Sequence, residues 1–401
     1  MWDIYGIMHN EEGVSRHAVK NILTHDFIFG FLALFVFIIA YHALIPTLPI
    51  FFAGLGSNER EIGALIGIFG ASSLVFRLVV GNILRKYSEK NIMIFGALLF
   101  AVTFLASIVL RPFWPFFAVR FFQGAAFACI DTAALAFIIK VTPLINRGRA
   151  ISYFVLAPPF SQAIAPSFGM FIINQYSFTV LFLICVGLSL CAFFFSWKLK
   201  GQNVTAPDNE ISANNNLFLE RKIVAPSIMN FMQNFVWGGI IAFLPLYAIK
   251  CGVTNPGWFF SANATMLIMG RALGGKILDT YNKEKIIRTF IFTSMITMVI
   301  LAFSTTLPMF ILVGLLWGTG GGFFFPASMA YALDYSGSSA GPAVGTFRAL
   351  SDLGLALGPV LVGLIIPLVG YQIMFLCLAL VSLINLSYFQ FYVRGKGNLL
   401  V

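Results

Sequence analysis

The sequence contains few charged residues. Only 10% of its 401 residues are Asp, Glu, Lys or Arg, whereas 59% are hydrophobic; a soluble domain averages about 25% charged residues. A soluble fold has too little interior to hide so much apolar surface, but a lipid bilayer can accommodate it. The composition therefore predicts an integral membrane protein.

The sequence also lacks the motifs that several classes of enzyme require. Its five Cys have no CxxC or metal-ligand spacing, so we predict no disulfide and no metal site. No G-x-x-x-x-G-K-[ST] loop is present to hold nucleotide phosphates, and no nucleophile elbow is present. We therefore expect no enzyme activity, no cofactor and no ATP hydrolysis by this chain.

About twelve apolar segments are long enough to cross a bilayer, which takes roughly 20 residues. A polar segment, Lys200 to Lys222, separates the first six from the last six, and its Asn, Asp and Glu content is typical of a linker. The sequence thus predicts an all-α membrane protein of twelve helices. We place the spans at 27–53, 61–84, 92–111, 114–140, 149–174, 177–198, 224–250, 257–278, 286–306, 308–333, 343–368 and 371–393.

Basic residues indicate the orientation, because Lys and Arg prefer cytoplasmic loops. With both termini in the cytoplasm, most of the 25 Lys and Arg fall on the cytoplasmic side, and only Arg60, Arg111 and Lys250 fall outside. Contacts with anionic lipid headgroups explain the net charge of +10, so we expect no nucleic-acid partner. The predicted parts are a cytoplasmic N-terminal segment (1–26), a six-helix bundle (27–198), a cytoplasmic linker (199–223), a second six-helix bundle (224–394) and a cytoplasmic tail (395–401).

The two halves of the chain repeat each other. The segment RLVVGNILRKYSEK begins at Arg77, and RALGGKILDTYNKEK begins 194 residues later at Arg271. Further landmarks recur in order at offsets of 193 to 196, which predicts two structurally equivalent bundles of six spans. The matching landmarks are Pro49 with Pro245, Gln123-Gly124 with Trp317-Gly318, Gly148 with Gly341, and Ala165-Pro166 with Gly358-Pro359.

These segments resemble signatures of the major facilitator superfamily. Both copies of the charged loop are similar to its loop 2–3 and 8–9 signature, roughly G-x-L-x-D-R-x-G-R-K, although Arg85 stands where the family usually has Asp. The resemblance implies an alternating-access secondary transporter, and the antiporter-like motifs imply its drug and metabolite antiporter branch. The other similar segments are RFFQGAAFA at Arg120, NRGRAIS at Asn146, LIPTLPIFFAGLG in span one, and APPFSQAIAPSFG and LGLALGPVLVG in spans five and eleven.

The charged loops are candidates for a cytoplasmic gate. In the family the loop Asp lies against the start of span eleven, where a helix N-terminus favours an anion. Because Arg85 reverses this charge, we predict that it pairs with Asp334 or Asp352, unless it only anchors in lipid headgroups; Asp279 would face Arg147 or Arg149. Arg348 and Asp352 have the i, i+4 spacing of a helical ion pair. The candidate gate residues are Arg77, Gly81, Arg85, Arg147, Arg149, Arg271, Gly275, Asp279, Asp334, Arg348 and Asp352.

Ionisable groups inside a membrane are costly and functional by default. In span four, Arg120, Gln123, Phe127 and Asp131 share one helical face, and Arg120 lies ~16 Å from Asp131 along the axis, too far to pair directly. Asp131 is the first candidate for proton binding; a structural hydrogen bond or direct substrate binding are the alternatives. His42, which could equally be a packing residue, is the second, and Arg120 completes the proton-coupling set.

The resemblance implies that spans one, four, seven and ten line a central cavity, and the polar and aromatic residues of these spans indicate that it is mostly apolar with a few polar contacts. The predicted function is proton-coupled efflux of an organic or amphipathic small molecule by a monomer in a bacterial inner membrane. Uptake or export of one metabolite, sugar or metallophore, or lipid flipping, are alternatives. The candidate cavity residues are Tyr41, His42, Gln123, Phe127, Asn230, Gln233, Asn234, Trp237 and Trp317.

Overall fold

The computed structural model describes residues 24–110, 113–200, 221–334 and 340–394. The first half of the chain forms six helices. They are α1 (His25–Gly54), α2 (Glu59–Ile83), α3 (Glu89–Val109), α4 (Phe113–Val141), α5 (Arg147–Phe154 and Ala157–Gln175) and α6 (Phe178–Trp197), with a 3₁₀ turn at Leu144–Asn146 before α5.

The second half also forms six helices. Gly370 interrupts the long helical segment Ala340–Tyr388 with a φ of 79°, a conformation that glycine adopts at no steric cost, and so separates its last two spans. The helices are α7 (Arg221–Lys250), α8 (Gly257–Thr280), α9 (Lys283–Ala302), α10 (Leu307–Asp334), α11 (340–369) and α12 (371–388), followed by a π-helix at Phe389–Val393.

The helices confirm the prediction of twelve membrane spans. Within the described residues, ten helical segments are long and apolar enough to cross a membrane; the last of them holds both α11 and α12, and α8 is the remaining helix. Most predicted boundaries agree with the helix ends to within about four residues. Of the predicted parts, residues 1–23, 201–220 and 395–401 lie outside the described residues.

Polar residues at the ends of the apolar runs start several of the helices. Before α2, the Asn58 side chain accepts a hydrogen bond from the Glu61 amide, and the Glu61 carboxylate accepts one from the Asn58 amide, which satisfies two backbone donors at once. Ser88 and Ser177 cap α3 and α6 with a single hydrogen bond each, which the side-chain oxygen accepts from a backbone amide of the first turn. These caps set where α2, α3 and α6 begin, after short polar loops.

The two halves pack their helices in the same scheme. In the first half, α2 and α3 pack against α4, and α1 packs against α5 and α6; in the second, α8 and α9 pack against α10, and α7 packs against the α11–α12 segment. A Cβ at Gly124 would overlap the Phe69 carbonyl oxygen, and one at Gly318 would overlap that of Asn263. Both residues of the second contact lie 194 positions after those of the first, so the predicted repeat is confirmed at the level of packing.

The halves meet through α2 with α11, α5 with α8, and α1 with α7. We call the face where α1 begins the terminal face, and the other the opposite face. Near the opposite face, a Cβ at Gly63 would overlap the Pro359 carbonyl oxygen of α11, and one at Gly257 would overlap the backbone of Ser167 in α5. The Ser167 hydroxyl also lies 2.8 Å from that of Ser261. These contacts close the opposite face.

Candidate functional site

A cavity of about 880 Å³ lies between the two halves on the side of the terminal face. Its walls come from the terminal-face parts of α1, α2, α4, α5, α7, α8, α10 and α11, and most of the lining residues are apolar. Its volume lies in the range of small-molecule sites, roughly 300–1,000 Å³. The charged residues that line it are Arg77, Asp131, Arg271, Arg348 and Asp352.

Arg77 of α2 joins two carboxylates in this cavity. Its Nη1 lies 2.9 Å from Oδ2 of Asp131 in α4, and its Nε lies 3.3 Å from Oδ2 of Asp352 in α11. Roughly a quarter of each side chain is exposed: 24% for Arg77 and 25% for Asp131. The guanidinium also lies 5.8 Å from the ring centroid of Phe127. With both carboxylates ionised, this triad has a net charge of −1 and links the two halves.

Arg271 of α8 occupies the position equivalent to Arg77, yet it binds a backbone carbonyl. Its Nη1 donates a hydrogen bond of 2.6 Å to the Val155 oxygen at the break in α5. Pro159, four residues after Val155, has no N–H to donate to that oxygen, and Pro158 likewise leaves the Phe154 carbonyl without a helical donor. The two prolines therefore explain both the break in α5 and the free carbonyl that receives Arg271.

Arg348 is the third arginine of the cavity. It lies exposed near the start of α11 and forms no ion pair among the described residues. The prediction that it pairs with Asp352 is wrong for this conformation, because Asp352 meets Arg77 of another helix. Tertiary contact has overridden the local i, i+4 spacing.

Arg120 lies deeper in the first half, in a cluster without an acid. Its Nε donates to the Leu65 oxygen at 3.0 Å, its Nη1 donates to Oε1 of Gln123 at 2.7 Å, and its guanidinium lies 4.6 Å from the Phe69 ring centroid. Tyr41 and Arg120 line a second cavity of about 30 Å³, which is room for about one water molecule. Arg120 and Asp131 are not paired, as their spacing predicted.

Several predicted cavity residues lie elsewhere. The His42 Nδ1 lies 3.0 Å from the Ser161 hydroxyl oxygen, which places this buried side chain between α1 and α5. Trp237 and Trp317 stack at 5.9 Å between α7 and α10, and Gln233 accepts a hydrogen bond from Ser294 of α9. None of these four predicted residues lines the large cavity.

Other predicted cavity residues lie on or near its surface. Asn234 lines the large cavity and donates a hydrogen bond of 2.9 Å to the Asn230 oxygen. Asn230, which is buried, donates to the hydroxyl of Ser351, another lining residue. Tyr41 packs against Phe127 at 4.9 Å between the two cavities. These contacts support the cavity wall from α1, α4 and α7.

The predicted pairs of Arg85 are not formed in this conformation. Asp334 pairs with Lys283 at 2.9 Å, and Asp352 pairs with Arg77, so both acids proposed for Arg85 have other partners. Arg85, Gly81 and Arg149 are exposed. Arg147 donates to the Thr142 oxygen at 3.3 Å. Gly275 and Asp279 lie in α8, in a part of that helix where the structure describes the backbone only.

Sequence reasoning missed the triad as a unit, although it named all three of its members. The available signal was that Arg77, Asp131 and Asp352 are three charged residues within or at the edges of apolar spans. Such groups pair with one another when they share a bundle interior. What the sequence did not contain was the contact of α2 with both α4 and α11.

Twelve membrane helices in two equivalent bundles, with a charged cavity between them, define a membrane transporter rather than an enzyme. The sequence model of the Major Facilitator Superfamily matches residues 30–303 and, in a second overlapping match, residues 227–397. The chain belongs to this superfamily and is a multi-pass integral membrane protein.

The similar proteins include one named for export and two named for drug resistance. The chain is 22% identical to the staphylopine export protein of Staphylococcus aureus strain Mu50 over 92% of this chain and 97% of the relative. It is 23% identical to multidrug resistance protein 1 of Bacillus subtilis strain 168 (85% and 90% covered) and 20% identical to the quinolone resistance protein NorA of S. aureus strain COL (82% and 87% covered).

Solved transporters share the fold. The nucleoside transporter NupG superimposes with a TM-score of 0.76 at 16% identity, with 92% of this chain and 98% of that chain covered. The POT family transporter PepTSo gives a TM-score of 0.73 at 11% identity, with 92% and 98% covered.

Proposed function

We propose that the protein is a proton-coupled exporter of organic or amphipathic small molecules. The names of three relatives describe export or drug resistance, and the cavity is large enough for an organic molecule. Export of one specific metabolite is the second candidate, favoured by the staphylopine export protein, whose match covers most of both chains.

The proposed cycle is alternating access by two six-helix bundles, residues 27–198 and 224–394, in a monomer. The terminal face is the cytoplasmic face of a bacterial inner membrane, so this conformation takes up substrate from the cytoplasm. Contacts such as Gly63 with Pro359 close the opposite face here. When the bundles rock, these contacts of the opposite face separate and the cytoplasmic side closes.

The main support for proton coupling is that two carboxylates share one arginine. Because Arg77 holds both Asp131 and Asp352, one carboxylate can bind a proton while the other keeps its cation. Only the Asp352 contact crosses between the bundles. Proton release into the cytoplasm leaves both carboxylates bound to Arg77, so the Arg77–Asp352 contact connects the two bundles. Substrate binding then breaks this contact as the bundles move.

Everted membrane vesicles test the coupling directly. Respiration acidifies their lumen, so uptake of dansylglycine or ethidium into the lumen measures export, and a protonophore should abolish it. We expect Asp131→Asn to reduce uptake to the level of vesicles without the protein. Glu61→Gln is the matched control, because it removes a carboxylate outside the cavity and keeps a helix-capping residue.

Uptake that survives the protonophore, or uptake by Asp131→Asn equal to that by the unchanged protein, would overturn the proposed coupling. Equal loss in Glu61→Gln would have the same consequence, since the effect would then not be specific to the cavity. Using one anionic and one cationic probe keeps this test independent of which charge the substrate carries.

A further inference from the structure

In the described part of the large cavity, two arginines remain without a carboxylate partner once the ion pairs are counted. Both lining carboxylates, Asp131 and Asp352, contact Arg77. Among the described lining residues, the remaining charged groups are Arg271 and Arg348, and both are cations. The part of the cavity outside the triad is therefore positively charged.

The repeat identifies what is missing beside Arg271. Arg77 and Arg271 are 194 residues apart, and the position equivalent to Asp131 at the same offset is Phe325 of α10. The position equivalent to Asp352, at the offset of 193 that relates α5 to α11, is Pro159. The second arginine thus has an aromatic ring and a proline where the first has two carboxylates.

Arg271 keeps donors for a ligand. A guanidinium has five N–H donors, and one nitrogen of Arg271 is bound to the Val155 oxygen. Its side chain is exposed in the cavity, in contrast to the buried Arg120. The hydrogen bond to the Val155 carbonyl fixes the guanidinium without neutralising its charge.

We propose that the transported molecule is an amphipathic organic anion whose carboxylate, or similar anionic group, binds Arg271 beside Phe325, with Arg348 as the second cation. This inference rests on the proposed function and specifies its substrate class. Arginine binds carboxylates through two parallel hydrogen bonds. The apolar body of the ligand packs on Phe154, Ile268 and Met329, which line the same cavity. Beside Arg271 and Arg348, a lipophilic cation would meet like charges instead.

Equilibrium binding without a proton gradient tests the substrate class. The full chain is purified in lipid nanodiscs and titrated with dansylglycine and dansyl-ethylenediamine, which share one fluorescent body and differ in the sign of their charge. We expect dansylglycine to bind more tightly. Arg271→Gln should weaken its binding by about tenfold or more, because loss of a single charge-assisted hydrogen bond already implies about tenfold, and Arg271→Lys should regain part of it.

Two further variants keep the result interpretable. Arg348→Gln should weaken dansylglycine binding as well, so the proposal remains testable if Arg271→Gln does not fold. Arg60→Gln is the matched control, because it removes an exposed arginine at the opposite face, and it should bind both probes like the unchanged protein.

Tighter binding of dansyl-ethylenediamine than of dansylglycine, or no saturable binding of dansylglycine, would overturn the proposal. So would an unchanged ratio of the two affinities in both Arg271→Gln and Arg348→Gln. Failure here is distinct from failure of proton coupling, because no gradient is present: anion binding without gradient-dependent uptake would refute only the coupling, and coupled uptake of ethidium alone would refute only the anion.

Discussion

The Arg77 site and the Arg271 site occupy equivalent places in the two halves, and they differ in what holds the arginine. The difference traces to two pairs of equivalent positions, Asp131 with Phe325 on α4 and α10, and Asp352 with Pro159 on α11 and α5. On α11, Asp352 supplies a carboxylate to Arg77. On α5, Pro159 removes an N–H and so frees the Val155 carbonyl for Arg271. In both cases an arginine of one half contacts the other half. Arg77 contacts a charged carboxylate, whereas Arg271 contacts a backbone carbonyl dipole.

The glycine contacts, by contrast, are conserved between the halves. Gly124 and Gly318 each lie against an equivalent carbonyl, and Gly63 and Gly257 each lie against an equivalent helix of the other half. Close helix packing has therefore stayed symmetric while the charges have diverged. The scaffold is therefore a repeat, whereas the proposed chemistry assigns proton binding to the Arg77 site and ligand binding to the Arg271 site.

The largest expected effect comes from removing each arginine in turn. Arg77→Gln leaves two carboxylates without their cation, which costs about 3–5 kcal/mol for a fully buried pair and less here because the cavity is partly solvated. Arg271→Gln leaves only a carbonyl unpaired. We expect a clearly lower melting temperature for purified Arg77→Gln than for Arg271→Gln.

Adding Asp352→Asn to Arg77→Gln should restore part of the melting temperature, since it removes one unpaired carboxylate. Equal melting temperatures for the two single variants, or a further fall in the double variant, would contradict the distinction between the two sites.

The next effect concerns the closed opposite face, which both halves build from glycine. Gly63→Leu should prevent its closure and shift the population away from this conformation. The measurement is the rate at which an impermeant maleimide labels Ala272→Cys, a cavity position, in everted vesicles after the native Cys are replaced. We expect a fall of about tenfold, which needs a shift of only ~1.4 kcal/mol.

Gly187→Leu is the control for this labelling, because Gly187 faces open space on α6. Faster labelling of Ala272→Cys in Gly63→Leu would show that the contact with Pro359 does not hold the opposite face closed.

A smaller effect should follow from making the two arginine sites alike. Phe325→Asp places a carboxylate at the position equivalent to Asp131, where it can neutralise Arg271. Dansylglycine binding should weaken several-fold, in line with the loss of a charge-assisted contact. Phe325→Asn, which removes the ring without adding charge, should weaken it less. Equal effects of Asp and Asn would assign the loss to packing alone.

The smallest effect is expected at the charged loop. Both acids proposed for Arg85 have other cations, Lys283 and Arg77, so Arg85→Asp should change gradient-driven uptake of dansylglycine by no more than about twofold, as for other exposed charges. A larger loss that Asp334→Lys reverses would instead support the predicted gate pair in another conformation of the cycle.

The sequence was sufficient for the fold and partly sufficient for the site. Span length, short loops and the 194-residue offset gave the twelve helices and their repeat, because these depend on composition along one chain. The rotation of each helix was harder to predict, since most spans are apolar all round and present no distinct polar face. His42, Trp237 and Trp317 were therefore assigned to a cavity that they do not line.

The charged residues show the same limit. Asp131 was selected because an acid inside a membrane is rarely without purpose, and it does line the cavity. Its partner Arg77 comes from another helix, as does the partner of Asp352. Spacing within one helix suggested Arg348 for Asp352, and only the packing of α2 against α4 and α11 identified the true partner.

The break in α5 also determines how each arginine contact responds to mutation. Every residue carries a backbone carbonyl, so the acceptor for Arg271 persists whatever side chain occupies position 155. The acceptors for Arg77 are side chains, and a single codon change at 131 or 352 abolishes one of them. The Arg271 contact is therefore insensitive to the side chain of the residue that accepts it. The Arg77 contacts, by contrast, can be lost or altered by a single substitution.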